Sequence, residues 1–266
     1  MNNAGVMRKN LLILLSCMIA GVFVSSCGLE EVVSVTEPAV TYNNPLYSNA
    51  DRLSWYFNFK TSEDSDEKFI GTDVYYKIYN NYSTLTSEKS SILSVNTSTN
   101  SSAAATRMID TYKYQPLGTS VPTEKTVFFP ETGKSVVLRL KDYTYAEKYT
   151  VPAGLSTMEP IYSSYACVGI KYADSAPYTY QGYIPFRAGN QKSFDFFDDD
   201  NDNKGGARDV LPVDGDIDYK HSSSPSSPDT YYVQMFAVGV ALIPETVSAS
   251  YSLVLDLGSV PIRKGE

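Results

Sequence analysis

Between Asp198 and Asp209 the chain reads Asp-Asp-Asp-Asn-Asp-Asn-Lys-Gly-Gly-Ala-Arg-Asp, a dense set of metal-competent oxygens. Carboxylates at the first, third and fifth positions of a tight loop, here Asp198, Asp200 and Asp202, can converge on one calcium ion, with Asp209 at the twelfth position as a distal ligand. Asn203 stands where such a loop has a glycine for its sharp turn, and Asn tolerates the left-handed backbone required there. Asp209 is shorter than the usual bidentate glutamate. The plain alternative is a hydrated acidic loop between strands. Calcium is therefore the one cofactor the residues suggest.

Other chemistry finds little material. Asp214, Asp216 and Asp218 extend the acidic stretch, but a glycosidase needs two carboxyls whose surroundings push their acidities apart, and acids bunched on one loop are expected to be hydrated. The single histidine, His221, leaves no basis for a Ser-His-Asp triad or a multi-histidine metal site. Cys167 lies within the alternating run Tyr165–Tyr172 and, with no base beside it to lower its pKa, reads as structural. Thr132-Gly133-Lys134-Ser135 carries the tail of a phosphate-binding loop, yet Phe128 stands where the first glycine belongs and a strand follows where a helix should. The chain is not expected to be an enzyme. Aromatics are the remaining excess, with 22 Tyr and 11 Phe. Tyr178, Tyr180 and Tyr183, between Tyr172 and Phe186, form a candidate platform for stacking on sugars or anchoring a protein. Most tyrosines are expected simply to fill half-buried strands.

The elements that must carry these residues are short alternating runs rich in Tyr, Val, Thr, Ser and Phe, punctuated by Asn, Asp, Gly and Pro, the pattern of an all-β protein. Strands are expected at Leu53–Lys60, Thr72–Tyr79, Lys125–Phe129, Ser135–Lys141, Tyr165–Tyr172, Tyr180–Phe186, Tyr231–Val240 and Ala249–Leu257. Helical character is confined to Ser101–Ile109, where three alanines follow two potential caps, and more weakly to Ser87–Val95. Residues 80–100 and 198–229 read as irregular, and Ser222–Pro228 as a mobile loop.

The amino terminus has a different character. Arg8 and Lys9 precede an apolar stretch from Leu11 to Val24, the arrangement of an export signal. The stretch is shorter than the roughly 20 residues of a spanning helix. Val24-Ser25-Ser26-Cys27 then resembles the lipobox of bacterial lipoproteins, an aliphatic residue and two small ones before the acylated cysteine. The resemblance implies removal of residues 1–26, diacylglycerol on the Cys27 thiol, usually a further acyl chain on its amine, and a stable anchor in membrane lipid. Residues 27–36 then form a lipidated tether before the domain at 37–262. Gly28, rather than Asp, after the cysteine suggests the outer membrane by the enteric sorting rule. Loss of Arg8 and Lys9 moves the formal charge from -8 to -10. An acidic exported chain lacks the basic face that nucleic acid requires. With Cys17 removed and Cys27 acylated, Cys167 is the sole thiol, so the fold is held by its core without disulfides.

Three segments resemble fibronectin type III domains. Leu53-Ser54-Trp55 matches the second strand, whose Trp packs across the sandwich, and Asp73-Val-Tyr-Tyr-Lys-Ile-Tyr79 matches the third. Tyr231-Tyr-Val-Gln-Met-Phe-Ala-Val238 is similar to the family's Tyr-x-Val-x-Val-x-Ala-Val strand, with Ser250–Leu257 as the last. The resemblance implies an antiparallel, Ig-like β-sandwich with one or two short helices, in which residues 80–229 are a long β-rich insertion or part of a second domain. The lipobox together with Tyr-Tyr-Lys-Ile-Tyr strands is also similar to lipoproteins of spirochaetes. The expected function is that of a membrane-anchored, non-catalytic adhesion, ligand-binding or envelope-structural module in the cell envelope, with a protein or glycan ligand. The alternative is a carbohydrate-binding lipoprotein, calcium-dependent through Asp198–Asp202.

Overall fold

The computed structural model describes residues 34–40, 56–64, 66–119, 132–140, 168–171, 180–183, 185–187, 194, 196, 211–243 and 248–264. Strands dominate, in two larger sheets. The first is antiparallel throughout, in the order β1 (Ala39–Val40), β2 (Tyr56–Lys60), β6 (Ser135–Arg139), β7 (Val168–Lys171), β8 (Tyr180–Tyr183). The second has β3 (Phe69–Tyr79) and β12 (Ser248–Arg263) on either side of β11 (Thr230–Ile243). Two short strands, β4 (Gln115–Pro116) and the parallel β10 (Tyr219–Lys220), share the outer edge of β3. A small pair joins β5 (Gly118–Thr119) to β9 (Pro185–Phe186).

Alternation explains how the two sheets meet. In β2, Phe57 and Phe59 are fully buried and stand opposite Leu138 and Val136 of β6, so these two strands share one apolar face. Against it lie Val74, Tyr76 and Ile78 of β3 and Val233, Met235 and Ala237 of β11, in register with one another. Phe194 and Phe196 complete this core, with the Phe194 ring edge-on to Tyr76 at 5.0 Å. Full burial of one such aromatic or aliphatic side chain contributes about 1.5–3 kcal/mol.

The second sheet is buried on its other face as well. Tyr75 and Tyr79 of β3, Phe236, Val238 and Val240 of β11 and Val254 of β12 are covered by two helices, α1 (Tyr82–Leu93) and α2 (Ser102–Thr106), the latter running into one π-helical turn at Arg107–Thr111. The chain thus builds three layers, sheet on sheet with helices outside. This is why consecutive residues of β11 from Val233 to Ala241 are all buried, whichever face they take. The α2 helix falls where its alanines predict it, and Ala104 and Ala105 are fully buried. The α1 helix overlaps the weaker helical expectation at Ser87–Val95 and begins five residues earlier, in a segment expected to be irregular. Asn81 caps it, its side-chain oxygen accepting from the Thr84 amide at 2.9 Å, and only Leu85 and Ile92, two turns apart, are buried. Serines and threonines elsewhere on the helix mask its period.

Two features fix the margins of the second sheet. The Asn96 side chain accepts from the Val254 amide and donates to its carbonyl, both at 2.9 Å, while the Ser102 hydroxyl does the same for Tyr251 at 3.0 Å. These side chains take the place of a neighbouring strand along β12. At Gly239, a β-carbon would lie 2.6 Å from Ser62 Oγ, 2.7 Å from the Thr36 carbonyl and 2.9 Å from Val35 Cγ1. Only glycine lets the incoming segment, with Val35 buried and the Thr36 amide donating to Asp64 at 3.0 Å, cross so close to β11.

Candidate functional site

Most residues singled out by their chemistry lie outside the described residues: Cys27, Trp55, Cys167, Tyr178, and the acidic set Asp198, Asp200, Asp202 and Asp209. Tyr180 and Tyr183 lie in β8, paired with Lys171 and Val168. Gly133 adopts a left-handed turn and β6 follows, with no helix to receive a phosphate. His221 is exposed, its Nδ1 3.5 Å from the Tyr219 hydroxyl. Among the described residues no cluster of His, Cys, Asp and Glu is arranged to hold a metal.

Asp218 departs from the expectation of hydrated loop acids. Its side chain is 2% exposed and forms a two-pronged bond with Arg187, Nε to Oδ2 at 2.9 Å and a terminal nitrogen to Oδ1 at 2.8 Å. Asp216 binds the same guanidinium at 2.8 Å, and the Tyr76 hydroxyl donates to Asp218 at 2.6 Å. Burial opposes the Arg187 charge, but the two carboxylates outweigh it and hold the guanidinium above its ordinary pKa. The network fastens the segment after β9 to the turn before β10. Its members are 31 and 142 residues apart, so no local pattern announces it.

A second buried network joins β3 to α1. Lys77 Nζ lies 3.0 Å from Glu88 Oε2 and also donates to the Tyr112 carbonyl, with the Tyr79 and Tyr114 rings within 6 Å. The Tyr79 hydroxyl donates to Glu88 at 2.7 Å and lies within hydrogen-bonding distance of the Tyr114 hydroxyl, at 3.0 Å. Burial lowers the Lys77 pKa, against the opposing pull of Glu88, and raises those of Tyr79 and Tyr114. Both networks have protein partners on their charged groups and act as fasteners between elements.

An exposed aromatic surface lies at the end of β3 where α1 begins. Tyr82 is 50% exposed and its ring packs on that of Tyr232, centroids 5.2 Å apart and planes tilted by 53°. The serine- and proline-rich segment expected to be mobile is tied down beside them. Asn80 exchanges two hydrogen bonds with the Ser222 backbone at 2.8 and 2.9 Å, Ser226 N–H donates to the Asn80 carbonyl, and the Tyr82 amide donates to Ser226 Oγ at 2.8 Å. Tyr82 and Tyr232 are 150 residues apart, and no local pattern announces that their rings meet. Gly239 pairs with Thr72 and Tyr232 with Tyr79, so seven residues, about 23 Å of strand, separate this surface from the incoming segment at Val35. The chain matches no protein-family model, no curated protein and no solved structure.

Proposed function

We propose that the chain is an exported lipoprotein held in a bacterial membrane by acylated Cys27, with a non-catalytic domain that serves adhesion, ligand binding or envelope structure. The observation that carries this reading is the succession Arg8-Lys9, the apolar run Leu11–Val24 and Val24-Ser25-Ser26-Cys27. It is supported by the docked segment beginning at Ser34, since the residues from Cys27 to Ser34 span at most about 25 Å and so keep the domain close to the bilayer. Gly28 favours the outer membrane. Among the described residues no helix is long and apolar enough to cross a membrane.

A fibronectin type III-like sandwich is part of the same proposal. Its support is the pairing order, β2 between β1 and β6 in one sheet and β3, β11, β12 side by side in the other, the arrangement in which Ig-like folds place their corresponding strands. The parallel β10 and the helical layer depart from that family. A second reading, a carbohydrate-binding lipoprotein with calcium at Asp198, Asp200, Asp202 and Asp209 and rings at Tyr178, Tyr180 and Tyr183, is favoured by the uncharged aromatic surface at Tyr82.

Metabolic labelling with palmitate in a bacterial host tests the anchor. The native chain should incorporate label and sediment with membranes, and Cys27→Ala should do neither. Label retained by Cys27→Ala, or a native chain released unlabelled, would overturn it.

A further inference from the structure

We propose that Tyr82, Tyr232 and the turn from Ser223 to Ser226 form a binding site for neutral oligosaccharides. The inference deepens the carbohydrate-binding reading and does not depend on the lipid anchor. A sugar ring offers a C–H face that stacks on an aromatic ring and a rim of hydroxyls that both donate and accept hydrogen bonds. Tyr82 supplies the ring. It is half exposed, yet its orientation is set by contact with Tyr232 at 5.2 Å. Ser223, Ser224 and Ser226, all exposed, stand on the adjoining turn to meet the hydroxyl rim.

The turn is held in place beforehand. Asn80 bonds the Ser222 backbone on both its donor and its acceptor side, the Asn81 amide donates to the Ser224 carbonyl, and Ser226 bridges to the Asn80 carbonyl and the Tyr82 amide. Binding to such a surface orders little, so more of the contact energy appears as affinity. No residue from His221 to Pro228 carries a formal charge with the histidine neutral, which matches an uncharged ligand. A protein partner would need about 1,000 Å² of complementary surface. Among the described residues, the other large apolar side chains that are exposed, Val40, Val213, Ile217 and Leu242, belong to other segments. A compact ligand fits better.

Calorimetry of the full-length lipoprotein in detergent micelles with maltohexaose, cellohexaose and chitohexaose, together with an array of neutral glycans, tests the site. At least one neutral glycan should bind, Tyr82→Ala should weaken it tenfold or more, and Tyr82→Trp should restore it. Because Tyr82→Ala could unfold the first turn of α1, Ser224→Glu on the exposed turn serves as a second variant and should weaken binding likewise, with melting curves unchanged. Failure of every neutral glycan to bind overturns both this site and the carbohydrate reading. Binding that survives Tyr82→Ala and Ser224→Glu but is lost on Tyr180→Ala overturns this site alone. Binding restricted to sialylated or sulfated glycans overturns it as well. None of these results bears on Cys27, which the palmitate label reports separately.

Discussion

Alkaline pH should unfold this protein steeply. Tyr75, Tyr79 and Tyr114 are 7%, 0% and 1% exposed, and burial above all keeps each phenol protonated well above the usual value. In the unfolded chain the same phenols ionise near pH 10. A folded state that retains protons the unfolded state releases loses stability as pH rises, so this contribution is complete below about pH 10 and drains above it. Each group removes about 1.4 kcal/mol per pH unit, and the three together about 4. Against a total of about 5–15 kcal/mol, the fold should be lost within about one to four pH units above 10. Lys77 acts with the opposite sign. Burial lowers its pKa, so the unfolded chain binds that proton more tightly and stability rises with pH until the unfolded lysine has also titrated, near pH 10.4. Stability should therefore be sustained up to about pH 10 and then fall sharply. Urea titrations followed by circular dichroism at successive pH values measure the slope, and tyrosinate absorbance shows when the buried phenols ionise. Tyr79→Phe should cut the slope by about a third. Smooth ionisation of all tyrosines around pH 10 with the fold intact would refute the reasoning.

Two further perturbations address single contacts. Arg187→Met strands the buried Asp218 carboxylate and should cost about 3–5 kcal/mol, where an exposed pair would cost under about 1; urea denaturation distinguishes the two, and a small loss would mean that the network is solvated. Gly239→Ala drives a methyl into Ser62, Val35 and the Thr36 carbonyl and should cost about 1–3 kcal/mol, lowering the melting temperature by several degrees and speeding proteolysis between Ser34 and Val40. A melting temperature within a degree of the native chain would show that the segment does not need the close approach.

What the sequence made legible was whatever depends on neighbours along the chain. Alternating Tyr, Val and Phe located β2, β3, β6, β11 and β12, with β11 and β12 running several residues past the expected ends because they pair with each other over most of their length. The alanine run gave α2. The α1 helix was legible only in its second half, as the weak signal at Ser87–Val95, because its stability comes from Leu85 and Ile92 on the sheet and from Glu88 and Lys89 paired to Lys77 and Asp256, contacts that a serine-rich window does not display. For the same reason Asp218 looked like one more hydrated acid until Arg187 was brought to it from 31 residues away. Ser222–Pro228 carries the composition of a mobile loop, but Asn80 and Asn81, over 140 residues distant, determine its shape. Composition reports local preference, and long-range partners decide the outcome.

The capping of β12 by Asn96 and Ser102 has a consequence for life on a surface. A protein confined to a bilayer as proposed meets its own copies in two dimensions, at local concentrations far above those of the same number of molecules in solution, and with their orientations already partly aligned. Those are the conditions under which an open strand edge recruits a matching edge from the next copy. At Tyr251 and Val254 the backbone groups that would do so are already satisfied by side chains of the same molecule. The helical layer therefore keeps this stretch of the sheet finite where crowding would otherwise favour extending it from one molecule to the next.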